Sequence, residues 1–60
     1  MKPAPAEIKQ TRIDAGLTVV ATAKIMRVTR KTVHAWESGM HPMKSRDFEY
    51  LQIKIAELLS

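Results

Sequence analysis

Between residues 29 and 46 the chain carries Thr29, Arg30, Lys31, Thr32, His34, Ser38, His41, Lys44 and Arg46, with Glu37 as the only acid among them. These are hydrogen-bond donors in number. An Arg fork can donate to O6 and N7 of one guanine together, and hydroxyl and amine donors suit phosphate oxygens. Covalent chemistry has little to work with. The chain has no cysteine, and no two carboxylates are paired at a plausible site. His34, Glu37 and His41 are the nearest approach to a metal set, but Gly39 lies between the histidines and their directions are not expected to converge. We therefore expect no enzyme, no metal and no cofactor.

The charge is uneven along the chain. The net value is +4, yet residues 24–46 alone hold Lys24, Arg27, Arg30, Lys31, Lys44 and Arg46 against Glu37, a local +5. From Asp47 onward the sign reverses to −2. A confined basic surface attracts a polyanion; the alternative is a solvated charged face without a partner.

Sixty residues form one domain spanning 1–60. A chain of this length buries only roughly 60% of its unfolded surface, and without cysteine it has no disulfide to help. A compact helical core aided by self-association is expected. No apolar run approaches the roughly 18 residues of a membrane span, so the expectation is a soluble cytoplasmic protein with no membrane partner and no small-molecule ligand.

Helix signals place the basic residues. Pro5 suits a first helical position, Glu7 its first turn and Gly16 a left-handed residue past its end, which predicts a helix over about 5–15. Its inward set is Ile8, Thr11, Arg12 and Ala15. Thr18 can cap a second helix (18–26) with Ala21, Ala23 and Met26 inside, and Thr29 a third (29–38) ended by Gly39. Val33 and Trp36, three apart, form the inner stripe of the third; Arg30, Lys31, His34 and Ala35 fall on its other side. At this spacing Trp36 is a core residue rather than a base-stacking one. After Pro42, Ser45 is a candidate cap for a last helix over 45–59, with Phe48, Leu51, Ile55 and Leu58 at helical intervals. Leu51, Ile53 and Ile55 also alternate as in a strand, but Phe48 and Leu58 follow only the longer period. The fold class is thus all-α, a compact bundle of about four helices with a central helix-turn-helix.

Only Arg27, Val28 and Thr29 join the second and third helices. So short a turn makes the axes cross steeply, and the second helix of such a unit can enter the DNA major groove. The segment "AGLT…A…VTRKTV…WESG" resembles the helix-turn-helix family of phage repressors, Cro proteins and related small bacterial regulators, over roughly Ile8 to Gly39. The resemblance implies an all-helical fold and a dimer on double-stranded operator DNA, acting in transcriptional control as a Cro-like repressor. It implies that Arg30, Lys31 and Ala35 stand where bases are read and Thr29 where a cap meets phosphate. It further implies that Ala23, Val28 and Val33 lock the two helices, and that Arg12 and Glu37 form an ion pair. The chain departs from the pattern at Arg27, where the family's turn usually has glycine. It departs again at Thr11 and Thr22, usually leucine, and at Val19, usually polar and near phosphate.

Residue by residue, Arg30 is expected on a guanine, with a phosphate or water contact as the alternative. Lys31 reads a base or a phosphate, and His34 reaches either or stays solvated. Ala35 meets a thymine methyl or is small for clearance. Thr29, Thr32, Arg12, Lys24, Arg27, Ser38, His41, Lys44 and Arg46 are the candidate phosphate contacts. Tyr50, Ile53 and Leu59 lie outside the last helix's inner stripe, and such a patch points to a homodimer interface. Two rival functions remain. One is an antitoxin or anti-repressor on the same fold that binds mainly another protein; the other is a nucleic-acid binder without sequence preference.

Overall fold

The computed structural model describes residues 2–60, and among these it is all-helical: α1 (Pro5–Asp14), α2 (Val19–Met26), α3 (Arg30–Ser38) and α4 (Ser45–Leu59). α3 packs against both α1 and α2, and α4 closes on α2. The residues that alternated between helix and strand, 48–56, lie wholly within α4.

The helix ends follow local chemistry. Thr18 Oγ1 accepts from Ala21 N–H at 3.0 Å and Thr29 Oγ1 from Thr32 N–H at 3.2 Å, so each threonine satisfies one orphan donor of its helix. α4 differs from the sequence expectation. Lys44 is its N-cap residue, without a side-chain cap bond, and Ser45 is the first helical residue.

α1 and α2 end alike. At α1, Gly16 N–H donates to Ile13 O at 2.9 Å and Leu17 N–H to Arg12 O at 3.0 Å. At α2, Arg27 N–H donates to Lys24 O at 3.3 Å and Val28 N–H to Ala23 O at 2.9 Å. This is one Schellman closure used twice, and it needs a left-handed residue each time. Gly16 takes φ 73° without strain, whereas Arg27 takes φ 58° and ψ 43°, the one non-glycine with positive φ among the described residues.

The core is Ile8, Ala23, Val33, Trp36, Met43, Phe48 and Leu51, with Val19, Ile25, Met26, Val28 and Ile55 packed at its margin. Of α1's expected inward residues only Ile8 is buried; Thr11, Arg12 and Ala15 are half-buried. Met43 is fully enclosed although it lies in the loop between α3 and α4, where periodicity gives no signal. Leu58, expected in the core, is 61% exposed. Leu58 instead lines a surface groove with Tyr50, Lys54 and Glu57 of α4 and Lys24, Ile25 and Arg27 of α2, at the edge of the inner stripe rather than beneath it.

Thr22 is 2% exposed, and its Oγ1 has no hydrogen-bond partner. A buried unsatisfied hydroxyl costs roughly 1–3 kcal/mol.

Candidate nucleic-acid interface

α3 begins on a capped turn with no acid in it. The positive end of its backbone dipole is therefore not offset by its own side chains. Arg30 and Lys31 are the first two helical residues and both are exposed, as is His34 one turn on. Thr29, Arg30, Lys31 and His34 line one shallow depression of about 470 Å³. Lys31 and His34 are shared with a second, of about 500 Å³, whose far side is formed by Ser38, Met40 and His41. The two make a continuous strip of donors along α3 and into the loop after it.

Behind this strip sits a charge tie. Arg12 Nε donates to Glu37 Oε2 at 2.7 Å and Nη2 donates to Oε1 at 3.0 Å. Nη1 donates to Leu17 O at 3.0 Å. The two side chains are 12% and 9% exposed. The hydrogen bond that Arg12 donates to Glu37, opposed by desolvation and aided by Glu37's charge, holds the Arg12 guanidinium above its ordinary pKa. The pair fastens α1 to α3 and neutralises the only carboxylate of residues 24–46. The ion pair expected from the family resemblance is thus present. Three of Arg12's five N–H groups are committed to it, so a phosphate would find only the remaining edge of a mostly enclosed side chain.

Ala35 departs from expectation. Its spacing puts it with Arg30, Lys31 and His34, yet it is 8% exposed. The chain after Gly39 folds back over it: His41 N–H and Ser38 Oγ both donate to the Ala35 carbonyl, at 3.2 Å each. Ala35 is the floor of the second depression rather than part of its rim.

The other expected phosphate contacts divide. Thr32 is half-buried and its hydroxyl lies 3.0 Å from that of Thr29, so both hydroxyls are engaged with each other. Ser38 and His41 join the strip. Lys44 and Arg46 are exposed but line neither depression. Lys24 and Arg27 line a different groove, between α2 and α4, with Ile25, Tyr50 and Lys54.

That groove opens on the apolar end of α4. Ile53 is 50% exposed and Leu59 68%, and Tyr50 and Leu58 are exposed along the same helix. Lys54 Nζ stands 5.5 Å over the Tyr50 ring and 3.4 Å from Glu57. The residue missed from the sequence is Met40. It is 74% exposed on the rim of the α3 strip, and it follows a helix-ending glycine, outside any periodic pattern.

Among the described residues no group of three His, Cys, Asp or Glu is placed to hold a metal, and no helix is long and apolar enough to cross a membrane.

The chain matches no protein-family model and no curated protein.

Proposed function

We propose that the protein is a sequence-specific double-stranded DNA-binding regulator of transcription. It inserts α3 into the major groove and acts by occupying a promoter. The observation that carries this reading is the strip on α3. Arg30, Lys31 and His34 project from a helix start that is capped by an uncharged threonine, and the one nearby acid is tied up by Arg12. An elongated groove-facing surface of donors, free of opposing charge, suits base edges flanked by phosphates. The cytoplasm, where DNA is accessible, is the compartment this reading implies.

One chain offers one such helix, so one half-site. The apolar end of α4 supports pairing two chains, Tyr50, Ile53, Leu58 and Leu59 being the surface to cover. Two half-sites would then lie about one helical turn apart, near 34 Å. The same apolar surface favours a second reading, an antitoxin or anti-repressor whose α4 binds a different protein.

The test is selection from a random duplex pool near 0.15 M salt, where phosphate-only binding is weakened. A two-fold-symmetric motif is expected, relaxed at one base pair with Arg30→Ala. Binding without an enriched motif would mean phosphate attraction alone. No binding would turn attention to protein partners of α4.

A further inference from the structure

The strip on α3 carries donors along its length, and its second depression is largely apolar. Ala35 forms an apolar floor, and Met40, the most exposed large apolar residue among those described, stands at its edge. Three hydrogen bonds fix this arrangement. Ser38 Oγ donates to Ala35 O at 3.2 Å and accepts from Met40 N–H at 3.3 Å, while His41 N–H donates to Ala35 O at 3.2 Å. Gly39, at φ 85°, supplies the reversal that brings Met40 back beside the helix. Lys31 and His34 close the other side. The result is a small apolar notch bordered by the charge of Lys31, held by the Ser38 hydroxyl and the His41 amide.

We propose that this notch receives the C5-methyl group of a pyrimidine in the major groove, with Met40 as a specificity-determining residue. The inference rests on the DNA-binding reading above. The C5-methyl is the apolar group that base edges present in that groove, and the polarisable, adaptable thioether of methionine suits a methyl contact. The charge of Lys31 keeps the notch against the DNA, and its floor leaves space that a larger residue at position 35 would fill. The methyl has two natural sources, thymine and 5-methylcytosine, and both would present it at the same point.

The experiment begins with the selected operator and replaces each thymine in turn by uracil, which removes the methyl and nothing else. Removal of one buried methyl at a single position of the half-site is expected to weaken binding about fourfold. Met40→Ala should bind the thymine and uracil duplexes alike at that position. Because Met40 is mostly solvent-exposed, its melting temperature should match that of the native chain. Operators carrying cytosine or 5-methylcytosine at the same position separate the sources: the methylated form should regain the factor that thymine holds over uracil. A uracil scan that is flat at every position, while the motif itself is still bound, overturns the notch and leaves the DNA reading standing. A thymine preference that persists in Met40→Ala overturns the role of Met40. Failure to select any motif removes the parent reading, and the notch with it.

Discussion

Arg27→Gly should make the protein more stable, and the two Schellman closures fix how much. At α1 the left-handed position is held by Gly16, and at α2 by Arg27, with the same pair of backbone bonds in the same register. An L-residue in the left-handed region costs roughly 1–2 kcal/mol. Glycine removes that strain but loses more backbone entropy on folding, about 0.4–1 kcal/mol. The difference leaves a gain of about 0.7 kcal/mol. In a domain of this size 1 kcal/mol moves the melting temperature by about 4–8 °C, so the expected rise is roughly 3–6 °C. The mirror experiment is Gly16→Ala. A Cβ at Gly16 would meet nothing within 4 Å, so its effect is conformational alone and should be a loss of similar size. Thermal and urea unfolding followed by far-ultraviolet circular dichroism measures both, and an unchanged urea slope confirms that the end states are the same. A lower melting temperature for Arg27→Gly would refute the reasoning, because it would mean that the Arg27 side chain contributes more than its backbone strain removes. DNA binding supplies a separate readout. If Arg27 meets a phosphate, the glycine variant is more stable yet weaker on DNA, with a salt slope shallower by about 0.9.

Glu37→Gln should lower stability by about 1–3 kcal/mol in urea titration, since it leaves the enclosed Arg12 charge short of its counter-ion; no change would mean the pair is only incidental. Arg12 itself adds no pH dependence between about pH 6 and 9. A raised pKa in a base gives stability that is complete below its unfolded value and is lost only as pH rises through the folded one, which lies above that range. Thr22→Val keeps the side-chain shape, removes the orphaned hydroxyl and should stabilise by about 1 kcal/mol; a loss of stability would show that the hydroxyl is satisfied in solution. Ile53→Glu should leave the helical spectrum intact while reducing the light-scattering mass at tens of micromolar from dimer to monomer. A native chain already monomeric at that concentration would remove the dimer from the reading.

The parts of the fold that could be read in advance were those set by local chemistry. Thr18 and Thr29 announce helix starts because a hydroxyl in that position has a backbone N–H to bond, and Gly16 and Gly39 announce ends because they take positive φ freely. Val33 and Trp36 followed from spacing alone. What escaped the sequence was set by how neighbouring segments meet. Leu58 keeps α4's period but lies on the groove that α4 shares with α2, and no pattern within α4 records where that groove opens. Met43 is fully buried because the loop after Pro42 folds into the bundle, and Ala35 is covered because the chain beyond Gly39 returns over it. For the candidate site, Arg30, Lys31 and His34 lie together as expected, while Lys24 and Arg27 belong to a groove shared with α4. That division depends on how α2 and α4 meet, which neither segment encodes alone.

Arg30, Lys31 and His34 have a consequence for change over generations. Among the described residues none of their side chains holds any other part of the chain, whereas Val33 and Trp36, interleaved with them on α3, are core. Mutation can therefore sample the first three positions with little effect on folding, while drift at the interleaved two is eliminated with the fold. A lineage built on this scaffold could diversify what α3 contacts one residue at a time, through intermediates that remain folded throughout.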